Sequence, residues 1–316
     1  MDVRTIGGSD LKTPRLVLGG NVFGWTASGE GAFAILDRFA EAGGVMIDTA
    51  DVYSAWVPGH KGGESESLIG AWLKRRGHRD DVLIATKVGM LPWDGKGTGI
   101  LDPDTILASC DASLARLGTH IDLYYAHQDD PKTPLADQLG AFDTLVRAGK
   151  VRTLGASNYD AERLNEALDI SERGGLARYE VLQNEYNLMT RSKFEGALQQ
   201  TCLDRNVGSL PFYGLASGFL TGKYRSAADK GKSIRGGRMD AYLNERGFRV
   251  LAALDEVASE AGATPAQVAL AWLAAQPGVT APIASASSRA QLDELLGVLT
   301  LELSGKQVER LTEAGA

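Results

Sequence analysis

The stretch MIDTADVYSAW, residues 46–56, decides how this chain is read. It opens as an apolar strand and ends in a loop carrying Asp48, Asp51, Tyr53 and Trp56. A buried strand followed at once by carboxylates, a phenol and an indole has the form of a strand delivering chemistry at its C-terminal end. Working outward, short β-branched runs of the same kind recur: 16–20, 45–50, 82–87, 121–127, 151–157, 181–186, 209–213 and 281–285 make eight candidate strands. Between them lie segments with apolar residues at three- and four-residue intervals, the helical period. The clearest are 31–44, 66–77, 102–118 and 134–150, several of them stopping at Gly, as helix ends commonly do. Eight strand–helix alternations predict an α/β fold with a parallel sheet, and the count of eight favours a closed (β/α)8 TIM barrel over an open doubly wound sheet.

The flanks fit the same frame. Residues 3–16 hold two short apolar stretches around GGSD, a hairpin pattern expected to plug the N-terminal barrel mouth. Residues 225–244, rich in Gly, Lys, Arg and Ser, read as a long loop or lid after strand seven. Residues 263–278 read as an extra helix before strand eight, with Thr264 as N-cap and Pro265 at the first helical position. With neither a linker nor an internal repeat, residues 1–316 read as one barrel domain.

Composition excludes several function classes. No run of about 18 apolar residues suggests a membrane span, and the N-terminus carries no basic segment followed by an apolar one, so the expectation is a cytoplasmic protein. A net charge of −7 argues against nucleic acid as a partner. Two cysteines, Cys110 and Cys202, are too few for a disulfide framework and read as packing residues. Four histidines, with no H-x-H or H-E-x-x-H, argue against a metal-dependent hydrolase.

In a (β/α)8 barrel the reacting groups gather where strands end. Strand two is followed by Asp48 and Tyr53, strand three ends at Lys87, and strand four ends at His127. Reducing a carbonyl requires a hydride at carbon and a proton at oxygen, from a donor that is still protonated at neutral pH. Tyr53 suits that role; Lys87 would lower its pKa toward the working range, Asp48 would hold Lys87, and His127 would orient the carbonyl. Singly each residue also reads as a turn, packing or surface group; together, at one barrel mouth, they read as a site.

These residues carry a resemblance. IDTADVY, TKVG, LYYAHQDD, GASN, LQNEYN, PFYGLASGFLTGKY and PIASASS, in that order from near residue 47 to 288, are similar to the landmarks of the aldo-keto reductase superfamily. The resemblance implies a (β/α)8 fold, NADPH-dependent reduction of aldehydes or ketones, and the tetrad Asp48, Tyr53, Lys87 and His127. It further implies that Ser157, Asn158 and Gln183 hold the nicotinamide carboxamide and that Tyr213 stacks on the ring. Gly214, Leu215, Ser217, Leu220, Gly222 and Lys223 would wrap the pyrophosphate, and Ser285, Ser287, Ser288, Arg289, Gln291 and Glu294 would take the adenosine end. The chain departs from many relatives at Ser288, where a basic residue is common, and at Leu295, where Asn is common; NADPH is expected as the cofactor, with NADH as an alternative to it. Trp25, Trp56 and Trp93, with Tyr53 and His127, are expected to line the pocket for a small-molecule carbonyl. A monomer is expected, and an NADPH-binding redox-sensing subunit with slow turnover is the alternative.

Overall fold

The computed structural model describes residues 2–91, 98–232 and 236–316. Two strands, β1 (Val3–Thr5) and β2 (Lys12–Pro14), pair antiparallel as a hairpin. Eight more form one parallel sheet: β3 (Val17–Gly19), β4 (Met46–Asp48), β5 (Leu83–Val88), β6 (Ile121–Ala126), β7 (Val151–Ser157), β8 (Tyr179–Gln183), β9 (Gly208–Ser209) and β10 (Ile283–Ala284). Their spatial order is β10-β3-β4-β5-β6-β7-β8-β9. The two edges meet: the Ser209 amide donates to Gly278 O (3.0 Å), Thr280 N to Ser209 O (2.8 Å) and Ile283 N to Pro211 O (2.9 Å). A curled parallel sheet of eight strands with intervening helices is consistent with the expected (β/α)8 class.

The helices are α1 (Gly29–Glu41), α2 (Glu64–Arg76), α3 (Pro103–Leu117), α4 (Leu135–Arg147), α5 (Ala161–Gly174), α6 (Ala197–Asp204), α7 (Glu245–Ala261), α8 (Pro265–Ala274), α9 (Arg289–Leu296) and α10 (Gly305–Ala314). Their ends follow local chemistry. Thr264 accepts from the Gln267 amide while the Gln267 side chain accepts from the Thr264 amide, a capping box that starts α8. Left-handed glycines Gly77, Gly118 and Gly262 close α2, α3 and α7. One glycine is required by contact rather than by φ: a Cβ on Gly70 would lie 2.1 Å from the Arg116 carbonyl oxygen, so only Gly lets α2 approach α3 this closely.

Strand alternation creates two cores. Val17, Met46, Ala85, Leu123, Tyr125, Val181, Leu210 and Ile283 form the inner one, joined by Ile6 and Leu11 from the hairpin. The residues between them, such as Leu18, Ile47, Ile84, Tyr124 and Leu182, face the helices in the larger outer core. Because side chains alternate with period two, the residue two places after each inner apolar one points inward again. Met46 thus leads to Asp48, Ala85 to Lys87, Tyr125 to His127 and Val181 to Gln183, stacking a polar layer on an apolar floor.

Two expectations need revision. The 225–244 segment is not a long structureless loop where it is described. It holds 3-10 turns over Ala227–Lys232 and Gly236–Ala241, with Met239 buried and ion pairs Lys232–Asp229 (2.7 Å) and Arg225–Asp255 (2.7 Å). Strands expected over 209–213 and 281–285 are ladder-paired over two residues each, Gly208–Ser209 and Ile283–Ala284, with Phe212 making an isolated bridge to Glu185. No helix among the described residues is long and apolar enough to cross a membrane. Cys110 and Cys202 are buried and unbridged, and burial pushes both thiols up to about 12.

Candidate active site

The geometry centres on the Lys87 ammonium, which has no solvent exposure. Its Nζ donates to Asp48 Oδ2 at 2.6 Å, to the Thr49 carbonyl at 2.7 Å and to the Tyr53 hydroxyl at 3.2 Å. All three ammonium protons are thereby committed. The other Asp48 oxygen accepts from Gln183 Nε2 at 2.8 Å, so residues 135 positions apart hold one carboxylate. Burial pushes the Asp48 carboxyl up and the Lys87 ammonium down, and the attraction between the two opposes both shifts. With good geometry and every donor used, the pair stays ionised.

Tyr53 is half-buried, with its ring 6.1 Å from the His127 ring at 72°. Burial pushes its phenol well above 10, with Asp48 adding to the effect. This corrects the expected lowering by Lys87: desolvation outweighs the single 3.2 Å contact, so Tyr53 is fully protonated at neutral pH. His127 is 8 % exposed, and burial, then the Lys87 charge, holds its pKa well below the ordinary imidazole value. It is neutral. Its Nδ1 has no hydrogen-bond partner, while its carbonyl accepts from Asn158 Nδ2 at 2.9 Å. The structure thus brings Asp48, Tyr53, Lys87 and His127 to one place.

The surrounding expectations divide. Ser157 and Asn158 lie beside this layer, joined by a 3.1 Å hydrogen bond. Tyr213 exposes its ring, its carbonyl accepts from Asn187 Nδ2 (3.1 Å), and its hydroxyl accepts from Arg238 (3.2 Å). Ser217 is buried at a left-handed turn, Leu215 is half-buried and Lys223 is exposed. Gly222 ends a 3-10 turn in the left-handed region, and Gly214 packs so closely that a Cβ would lie 2.9 Å from Leu270. Leu220 departs from expectation: it has no exposed surface and its amide donates to Leu215 O (3.2 Å), so it belongs to the core. Ser285 donates to Asn21 (2.6 Å), and Ser288 caps α9. Ser287 donates to Gln291 Oε1 (3.0 Å), the Glu294 carbonyl accepts from Gln267 (2.6 Å), and exposed Arg289 has Asp293 3.9 Å away. Trp25 and Trp56 meet edge-on at 5.5 Å, with Trp56 6.3 Å from Tyr53. Trp93 lies outside the described residues.

Sequence reasoning missed a feature of this mouth. Ser54, Asn158, Tyr213, Ala216 and Ser217 all have positive φ (72°, 59°, 55°, 47° and 58°), a conformation side chains other than Gly rarely adopt. Such strain gathers where surrounding structure dictates geometry for a site. No one-residue signal announces it. Asn21, Glu66 and Arg238 were also passed over, and Asp51 was noted without a role; of these, Glu66 shares the buried stripe of α2 with Ile69, Gly70 and Leu73, a spacing the sequence does display.

A curled parallel eight-stranded α/β sheet with a buried Lys–Asp pair, a Tyr and a His gathered at one mouth is of the (β/α)8 class with its polar groups at the strand ends. Sequence comparison agrees with that class: the Aldo/keto reductase family profile matches residues 15–316, and the chain belongs to this family of oxidoreductases. It is 33% identical over 292 residues to aldo-keto reductase str7 of Strobilurus tenacellus, covering 90% of this chain and 81% of that protein. It is 31% identical to L-glyceraldehyde 3-phosphate reductase of Escherichia coli K12, covering 99% and 92%. It is 30% identical to aldo-keto reductase yakc [NADP(+)] of Schizosaccharomyces pombe, covering 91% and 83%.

Proposed function

We propose that this chain is an NADPH-dependent reductase of aldehydes or ketones in which Tyr53 gives the proton. The observation that carries the reading is the fully buried Lys87 ammonium, held by Asp48 and pointing its third proton at the Tyr53 hydroxyl. A phenol kept above 10 holds its proton through the working pH range. As that proton leaves for a carbonyl oxygen, the adjacent Lys87 charge stabilises the developing phenolate. Asp48 and the Thr49 carbonyl fix Lys87 in place beforehand. His127, neutral, offers one ring N–H to the same oxygen and orients it.

The residues present fit a dinucleotide. The exposed Tyr213 ring offers an aromatic face, and His127 Nδ1 is a buried polar atom without a hydrogen-bond partner among the described residues. Gln183, having spent an N–H on Asp48, still presents its carbonyl oxygen. Ser157, Asn158 and Gln183 would hold the carboxamide and Tyr213 the ring. Gly214 to Lys223, with Leu220 as support from behind, would take the pyrophosphate, and Ser285 to Glu294 the adenosine end. Bound there, a reduced nicotinamide supplies the hydride. Arg289, exposed and with Asp293 3.9 Å away, is the cation for a 2′-phosphate, and NADH is accepted more weakly.

Trp25 and Trp56 line the approach to Tyr53, which favours a carbonyl with an aryl or alkyl body. The named substrate of one relative, a phosphorylated aldehyde, is a second candidate. We read residues 1–316 as one cytoplasmic unit whose hairpin covers the N-terminal mouth. The test is NADPH oxidation by purified protein with 4-nitrobenzaldehyde and with glyceraldehyde 3-phosphate. Turnover with either supports the reading; tight NADPH binding with no turnover on any carbonyl contradicts it.

A further inference from the structure

Behind the Asp48–Lys87 pair lies another buried acid that the proposed reaction does not use. Asp51 is 2 % exposed, and its Oδ1 has no hydrogen-bond partner. Its backbone is pinned. The amide donates to the Lys87 carbonyl (3.3 Å), and the carbonyl accepts from Gly63 N (2.6 Å), tying the end of β5 to the start of α2. Charged or titratable groups act on it from the packed elements, Glu66 on α2, Arg116 on α3, Lys87 on β5 and Tyr124 on β6, and Asp48 and Tyr53 flank it in sequence.

The charges in this cluster do not balance if every acid is ionised. Arg116 Nε lies 2.6 Å from Glu66, which also accepts from Thr86 Oγ1 at 2.5 Å, and Lys87 lies 2.6 Å from Asp48. Among the described residues two cations thus serve two carboxylates, and Asp51 is the third carboxyl, with no ion pair of its own. A buried group in that position is cheapest as the neutral acid.

We propose that Asp51 is a positioning residue for the Lys87–Tyr53 pair, held as a neutral carboxylic acid whose ionisation weakens Tyr53 as a proton donor. Burial, then the Glu66 charge, pushes its carboxyl up to about 8, in line with this count of charges. While Asp51 keeps its proton, Lys87 is balanced chiefly by Asp48, with Glu66 acting on it as well, and its third N–H bears on Tyr53. When Asp51 loses that proton to solvent, a further negative charge sits beside Lys87, offsets its field, and opposes a phenolate at Tyr53. The consequence for turnover rests on the reading of Tyr53 given above; the protonation state of Asp51 does not.

The experiment is infrared difference spectroscopy across pH values bracketing about 8, run beside the pH profile of kcat for aldehyde reduction, on wild type and Asp51→Asn. The expected result is a carboxylic-acid band lost on the alkaline side in wild type and absent from the variant. Wild-type kcat falls roughly tenfold across that range, as a shift of about one unit in the acidity of Tyr53 implies, and Asp51→Asn shows no such fall. A wild type with no acid band, or one that Asp51→Asn leaves unchanged, overturns the neutral acid; superimposable kcat profiles overturn the positioning role. Should Asp51→Asn fail to fold, Glu66→Gln removes the neighbouring charge, and the acid band must then disappear at lower pH. If wild type reduces no carbonyl at any pH, the Tyr53 reading fails and the positioning role with it, while the infrared result still decides whether Asp51 is neutral.

Discussion

Replacing Lys87 by Met removes a charge that the fold has arranged around itself, and the loss can be worked from its partners. Asp48 keeps only the Gln183 donor at 2.8 Å and stays 2 % exposed. An uncompensated carboxylate in that place takes up a proton instead. Neutralising an acid of ordinary pKa 3.8 at pH 7 spans about three pH units at about 1.4 kcal/mol each, so the change costs about 4 kcal/mol, within the range known for breaking a buried pair. Folded Asp48 in Lys87→Met then has a raised pKa. Its stability is accordingly greatest below the ordinary carboxylate value and declines as pH rises, so the deficit against wild type shrinks on acidification. The double variant Asp48→Asn/Lys87→Met removes both charges and should recover all but about 1–2 kcal/mol, while activity stays lost in both. Urea unfolding followed by tryptophan fluorescence, with the m-value unchanged, measures this. A single variant as stable as the double, or a deficit independent of pH, would refute the reasoning.

Two further predictions concern charge. Arg289→Ala should raise the Kd for NADPH by roughly tenfold and barely alter that for NADH, because a 2′-phosphate is the only difference between them; equal losses in titration calorimetry would place the phosphate elsewhere. Asp51, with a folded pKa of about 8 against 3.8, binds a proton in the folded chain that the unfolded chain has released. Between those values wild-type stability therefore declines by about 1.4 kcal/mol per pH unit relative to Asp51→Asn; parallel curves in unfolding experiments run along a pH series would contradict that.

Much of this was legible because strand alternation is strict. Once Met46, Ala85, Tyr125 and Val181 are inward-facing, Asp48, Lys87, His127 and Gln183 have no other direction to point, and the strand ends read directly as a site. Helix limits were legible where chemistry marks them, as at Thr264–Pro265 and Gly118. What escaped reading depends on tertiary context. Left-handed Tyr213 and Ser217 carry no local signal, and the ladders of strands seven and eight of the barrel are shorter than the apolar runs that mark them. Leu220 sits in a glycine-rich run that suggests surface, yet it packs in the core. The sign of the Tyr53 shift depends on how much water the mouth admits, which no spacing encodes.

The most direct test of the central claim is the comparison of Tyr53→Phe with wild type in NADPH oxidation by 4-nitrobenzaldehyde, with NADPH affinity measured on both. The substitution removes one hydroxyl, whose protein contact is the 3.2 Å bond from Lys87, and leaves the ring in place. The account predicts unchanged NADPH binding and a kcat lower by about 10²–10⁴-fold, the usual contribution of a positioned general acid. Turnover equal to wild type would show that the proton comes from another group and would contradict the account.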